Sequence, residues 1–188
     1  MDEVVLARHG ETATTAEGKV GGDAPLSPAG RAQARALGDT LAAVALDVCL
    51  TSPARRARET AQLALTGRQV SCEPLPELRD IDFGAFTGAP LATYRAWIAA
   101  HAPTEAPPGG ESRVETLRRF ARGFRSVLSR PERIVFVVAH GLALRAAVDE
   151  RPRPEVAGIP YGSSLRLSHE ELASAVERLE AWCEAPGW

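Results

Sequence analysis

Val4-Val5-Leu6-Ala7-Arg8-His9-Gly10-Glu11-Thr12 is the stretch from which the fold can be read. Four apolar residues run straight into an arginine, a histidine and a glycine. The run is too short for a helix and apolar at consecutive positions, the pattern of a strand buried on both faces. The same layout recurs at Val44 to Leu50, before Thr51-Ser52-Pro53, and at Ile134-Val135-Phe136-Val137-Val138-Ala139, before His140-Gly141. Each strand therefore ends in polar, potentially reactive residues.

Helical patterns fill the intervals. Ser27-Pro28 opens one, with Ser27 as N-cap and Pro28 in the first turn, carrying Ala32, Ala36, Leu37 and Leu41 at helical spacing. Ser52-Pro53 opens another, through Ala57, Ala61 and Leu65 to a stop near Gly67. Ser112 to Leu128 carries an apolar stripe from Val114 to Leu128, and Ser112 with Glu115 forms a capping box. Strands alternating with helices predict an α/β chain, a three-layer α/β/α sandwich with a mainly parallel central sheet. In such sheets ligands bind at the carboxyl ends of the strands. The segment from Thr87 to Gly110, with Tyr94, Trp97 and a cluster of Pro and Gly, is expected to be a surface loop or a pocket wall. Beyond a strand at Ser164 to Leu167, Leu172 to Cys183 fits a helix, with a final hairpin as the alternative.

The 188 residues suit a single domain spanning 1–188. A net charge of -2 provides no global basic field, so neither nucleic acid nor an anionic membrane is an expected partner. Lys19 is the only lysine, so an anion site must be built from Arg, His and backbone N–H groups. Cys49, Cys72 and Cys183 include no C-x-x-C pair, which argues against a disulfide framework or a zinc site; Cys49 reads as a core residue. The amino terminus lacks the basic and long apolar regions of a signal peptide, and no apolar stretch approaches membrane-spanning length. Cytoplasmic residence is expected. Oligomeric state is not readable.

The chemistry gathers at the strand ends. Gly10 allows close backbone approach to a ligand, and Arg8 offers a forked, permanent cation suited to phosphate oxygens. A neutral imidazole nitrogen of His9 can attack phosphorus if its other nitrogen is held by a fixed acceptor. Arg55, Arg56 and Arg58 stand at a helix start, where cations oppose the macrodipole, as though an anion were expected nearby. His140-Gly141 supplies a second strand-end histidine.

Taken in order, these segments resemble the histidine phosphatase superfamily, the branch containing cofactor-dependent phosphoglycerate mutases and small bacterial phosphatases. Arg8-His9-Gly10-Glu11-Thr12 matches the signature. Asp23 to Ala34, Ser52-Pro53 with Arg56-Ala57-x-x-Thr60-Ala61, Leu78 to Gly88, Gly109-Gly110-Glu111-Ser112 and His140-Gly141 follow in the family's order, covering Leu6 to about Leu167. The resemblance implies a phosphoglycerate mutase-like fold and a phosphohistidine intermediate. It makes His9 the nucleophile, with Arg8, Arg56 and His140 on the phosphoryl oxygens and Arg55 at the rim. Asp80 stands where the family usually has Glu and is expected to be the general acid, with Asp82 and Glu77 as the nearby alternatives. Thr15 stands where Asn is common and is a candidate phosphate ligand.

The expected activity is hydrolysis of a small organic phosphomonoester, with neither metal nor cofactor. Two alternatives accompany it. A phosphoglycerate mutase would need a longer basic insertion after Gly88, where Ala89 to Gly110 offers only Arg95 and His101. A catalytically weak phosphate-binding module would explain the Asp80 and Thr15 departures. Phe83, Phe86, Tyr94 and Trp97 are candidates for a pocket wall or for core. Glu111 and Ser112 are expected to cap the long helix, and His101 and His169 to lie on the surface.

Overall fold

A computed structural model describes residues 1–153 and 158–188. Five strands form one sheet: β1 (Glu3–Arg8), β2 (Val48–Thr51), β3 (Ser71–Pro74), β4 (Ile134–Ala139) and β5 (Ser164–Ser168). Their order is β3-β2-β4-β1-β5, parallel throughout except for β5, which runs antiparallel to β1. The helices are α1 (Ala13–Ala16), α2 (Pro28–Thr40), α3 (Arg55–Ala64), α4 (Leu91–Ala99), α5 (Arg113–Leu128), α6 (Gly141–Val148) and α7 (His169–Glu184). The chain is the expected α/β/α sandwich.

Alternation along the buried strands builds two cores. Val4, Leu6, Leu50, Val135 and Val137 face α5, α6 and α7, where Leu117, Phe120, Phe124 and Leu172 pack. Val5, Ala7, Cys49, Phe136 and Val138 face α2 and α3. Apolar surface withdrawn from water on both faces, worth roughly 25 cal/mol per Å², holds the three layers together.

Four differences from the sequence reading have physical causes. The second strand begins at Val48, not Val44, because the Asp47 carboxylate accepts the Arg133 and Ile134 N–H groups and fixes the strand's entry. Strand β3 has no apolar run, since it lies at the sheet edge with Ser71, Cys72 and Pro74 exposed. The carboxyl-terminal segment is helical: Ser168 caps α7, closing a capping box with Glu171. Within 87–110, α4 buries Tyr94 and Ile98 against Val20 and Ile81, so this segment is a wall rather than a free loop.

Register puts the reactive residues side by side. Arg8 pairs with Ala139, and Thr51 with Val138, so His9, Ser52 and His140 emerge together at one sheet edge. The His9 N–H donates to the Ala139 carbonyl at 3.0 Å and the Ser52 N–H to Val138 at 2.9 Å, carrying the ladder into the site. Gly10 is also required by packing within the chain. A Cβ there would lie 2.5 Å from the Gly30 carbonyl oxygen, and one on Gly30 would lie 2.0 Å from the Glu11 oxygen. The loop after β1 thus approaches the start of α2 closely.

Gly30→Ala is therefore expected to push the loop carrying His9 away from α2 and to cost about 1–3 kcal/mol, the range for overpacking. Chemical denaturation measures it; a stability equal to wild type would show that the loop moves freely.

Candidate active site

Arg56 is the centre of the polar cluster at the strand ends. It lies in the first turn of α3 and is buried. Its Nε–H donates to His9 Nε2 at 3.2 Å, Nη1 to the Gly22 carbonyl at 2.9 Å and Nη2 to Asp80 Oδ2 at 2.7 Å, with His140 Nδ1 3.3 Å from Nη2. One turn on, Thr60 accepts the Gly10 N–H at 3.0 Å and donates to the Arg56 carbonyl at 2.7 Å. The arginine and the loop of His9 are thus tied to the same helix. Arg55 points outward to Glu59.

His9 is 3% exposed and has both ring nitrogens engaged. Nδ1 lies 2.7 Å from the Gly10 carbonyl, an acceptor only, so Nδ1 carries the proton and Nε2 the lone pair. Burial is the main cause that holds the imidazole's pKa well below its usual value; a proton on His9 is further disfavoured by the neighbouring His140 ring and by the Arg56 guanidinium. His140 is also held neutral, first by burial and then by Arg56 and Arg8. Its Nε2 meets Ser52 Oγ at 2.7 Å, and its Nδ1 faces Asp80 Oδ2 at 3.4 Å.

Arg8 closes the floor. Its Nη1 donates to the Ile159 carbonyl and its guanidinium lies 3.6 Å over the Tyr161 ring. Gly141 makes room for it, since a Cβ there would sit 3.3 Å from Arg8 Nε.

Of the three candidate carboxylates, only Asp80 reaches the cluster. Asp82 is exposed and accepts the Gly84 N–H, while Glu77 packs toward Gly123 on α5. The backbone beneath Asp80 is clamped by Arg119, whose Nη1 donates to the Glu77 and Arg79 carbonyls at 2.7 Å each. Glu111 holds Arg119 through Nε at 2.9 Å and also pairs with Arg79. Glu111 is thus not a helix cap, as the sequence suggested. Ser112 and Glu115 form that capping box, and Glu111 acts through Arg119 on the Asp80 loop.

Thr15 lines the cavity, but its hydroxyl is fully engaged with Thr12. It accepts the Thr12 N–H at 2.9 Å and the Thr12 hydroxyl at 3.2 Å, and donates to the Thr12 carbonyl at 3.1 Å. Phe83 and Tyr94 line the cavity, whereas Phe86 and Trp97 pack behind them. His169 is exposed, and His101 is half-buried against Trp97. Ser52, Thr60, Arg119 and Tyr161 were not assigned to the site from sequence. Thr60 and Ser52 stood within a recognised motif; Arg119 and Tyr161 carried no local signal. Among the described residues, no three His, Cys, Asp or Glu side chains cluster as metal ligands, and no helix is long and apolar enough to cross a membrane.

The cluster of His9, His140, Arg8, Arg56 and Asp80 at one end of a cavity of about 190 Å³ defines a class of enzyme that handles phosphoryl groups through histidine. The chain belongs to the histidine phosphatase superfamily, branch 1, whose family model matches residues 4–182. It is 30% identical over 185 residues to the uncharacterized phosphatase PhoE of Bacillus subtilis, covering 97% of this chain and 92% of that one. It is 33% identical over 168 residues to a 2,3-bisphosphoglycerate-dependent phosphoglycerate mutase of Gloeobacter violaceus, covering 80% and 75%. The mycobacterial glucosyl-3-phosphoglycerate phosphatase superposes with a TM-score of 0.72 at 30% identity, covering 89% and 90%.

The depressed histidine pKa values fix a sign for stability against pH. Both imidazoles stay neutral in the folded chain, while in the unfolded chain they protonate below about pH 6.5. The unfolded state then binds more protons, so this contribution is fully present above that pH and is lost as pH falls below it, by about 1.4 kcal/mol per pH unit per histidine. Denaturation at about pH 7.5 and about pH 5.5 is expected to show the decline. His9→Asn should remove one proton's share of it, and an unchanged slope would contradict the neutral assignment.

Proposed function

We propose that the chain is a phosphomonoester hydrolase in which His9 Nε2 attacks phosphorus. The observation that carries this reading is the fixed tautomer of a buried, neutral His9, with Nδ1–H on the Gly10 carbonyl and the Nε2 lone pair turned to the cavity. Arg56 Nε–H, which meets that lone pair at 3.2 Å, transfers to a phosphoryl oxygen when substrate enters. Arg8 and Arg56 then balance the charge of the equatorial oxygens, the largest source of catalysis in phosphoryl transfer. With the Ser52 hydroxyl donating to His140 Nε2, Nδ1–H of His140 is a further donor to the same oxygens.

Asp80 is the proposed general acid. Its carboxylate is paired with Arg56. As the acid, Asp80 enters the reaction with a proton on its carboxyl while the incoming phosphate takes over Arg56. Asp80 delivers that proton to the leaving alcohol and, as a carboxylate, takes one from the water that cleaves phosphohistidine. Every charge in this cycle is supplied by the protein, so neither metal nor cofactor is proposed. Thr15, whose hydroxyl is engaged with Thr12, is left to shape the turn after His9.

Hydrolysis is favoured over mutase chemistry by the wall at 87–110. Of its two basic residues, only Arg95 lines the cavity, since His101 stacks on Trp97 and holds the Trp97 carbonyl. A mutase must grip a second phosphate and keep water from phosphohistidine. The substrate is proposed to be a small organic phosphate, the whole of 1–188 to act as one catalytic domain, and the protein to reside in the cytoplasm, where its three free cysteines would stay reduced.

Brief exposure to a labelled phosphomonoester is expected to leave acid-labile phosphate on wild type and none on His9→Ala. Binding of phosphate without labelling would instead support the phosphate-binding module. Asp80→Asn should lower kcat about 10²–10⁴-fold on alkyl phosphates, the range for a positioned general acid. With p-nitrophenyl phosphate, whose leaving group needs no proton, the loss should be much smaller. Equal losses on both substrates would remove Asp80 from that role.

A further inference from the structure

Among the described residues, the cavity is lined by six cations, Arg8, Lys19, Arg56, Arg95, Arg113 and Arg145, against the single carboxylate of Asp80. Most of the six are committed. Lys19 pairs with Glu17, Arg56 with Asp80 and Arg145 with Asp149. Arg8 rests on Tyr161 and the Ile159 carbonyl, and Arg95 is exposed at the rim. Arg113 differs from all of them. It is the first residue of α5, at the positive end of a 16-residue helix, where a cation is unfavourable. Among the described residues it has no ion pair; its Nε, like those of Arg8 and Arg145, is shielded from solvent without a hydrogen-bond partner, but only those two bond through their other nitrogens. Burial is the main influence on its guanidinium; Tyr94 and the already paired Asp80 only partly offset it. A half-buried guanidinium that lines a cavity with no anion paired to it is costly unless something anionic joins it.

We propose that Arg113 binds the carboxylate of an organic phosphate whose phosphoryl group lies against His9. The inference deepens the phosphatase reading and rests on it. A single guanidinium fork matches a carboxylate in both charge and shape. A second phosphate, with twice the charge, would call for a second inward cation, and the remaining basic side chains are paired or at the rim. Between the two anchors the cavity offers apolar Leu91, Ile98 and Leu142 along with Tyr94. The substrate is thus a phosphomonoester with an apolar or weakly polar middle and a carboxylate at its far end. Arg113 selects it without taking part in the chemistry.

Non-hydrolysable ligands test this independently of turnover. Calorimetry would compare a series of ω-phosphonoalkanoates of increasing chain length with their ω-carboxamides. At the length that spans the two anchors, wild type should bind the carboxylate about 10–100-fold more tightly than the amide, the range for a charge-assisted contact. Arg113→Gln should abolish that preference, and Arg113→Lys should keep part of it. Should Arg113→Gln fail to fold, Arg113→Met keeps the apolar stem and is read in the same way. The proposal is overturned if no carboxylate in the series is preferred, if the preference survives loss of Arg113, or if an ω-bisphosphonate binds more tightly than the carboxylate. A protein that shows the preference but never labels His9 would sink the phosphatase reading alone. One that labels His9 but shows no preference would sink this inference alone.

Discussion

The buried guanidinium of Arg56 is the constraint on which the rest of the site depends. A permanent cation taken out of water must be surrounded by acceptors. Three groups from three different segments meet that demand: His9 after β1, Gly22 in the following loop and Asp80 beyond β3, with the His140 ring after β4 packed beside them. Each is placed by its own element, and none is near another in sequence. Removing Arg56 would leave Asp80 without its cation and His9 without a donor on Nε2. The hub is also anchored behind, since Thr60 bonds both the Arg56 carbonyl and the Gly10 N–H. Helix α3 therefore sets the distance between the arginine and the histidine.

Burial acts in opposite ways on the two kinds of base in this cluster. It keeps His9 and His140 neutral, leaving each ring one nitrogen with a lone pair, and Arg56 and Arg8 reinforce that neutrality. The arginines cannot discharge in the same way. Their charge remains and is available to an incoming anion. The site thus sets two uncharged imidazoles beside two fixed cations, an arrangement preorganised for a phosphoryl group.

What could be read from the sequence follows from how local each cause is. Strands β1 and β4 announce themselves because they are buried on both faces, and their polar ends carried His9 and His140 with them. The start of α5 was equally plain, since Ser112 and Glu115 cap it within four residues. Strand β3 was silent, because an edge strand with exposed Ser71 and Cys72 has no apolar signature. Glu111 was misread as a cap because its true partner, Arg119, is one that only the folded chain brings against it. Tyr161 under Arg8 and the clamp of Arg119 on the 77–80 backbone have no sequence signal of any kind; they exist only as tertiary contacts. Gly10 shows the limit from the other side: its need for close approach was legible, but the neighbour that approaches, Gly30, was not.

The aspartate at position 80 raises the question of reach, because its side chain is one methylene shorter than glutamate. The structure answers it with the backbone. Arg119 draws the carbonyls of Glu77 and Arg79 to a single nitrogen and contacts that of Asp80 at 3.2 Å, tightening the turn beneath the carboxylate. Asp80 Oδ1 accepts its neighbour's N–H from Ile81, which fixes the rotamer and directs Oδ2 at Arg56. The resulting 2.7 Å contact is direct, with no room for an intervening water. The shorter side chain on this clamped loop reaches Arg56 directly, with fewer rotamers to order than a glutamate would have. Glu111 and Arg119 thus act on Asp80 from behind, holding the backbone from which its carboxylate extends.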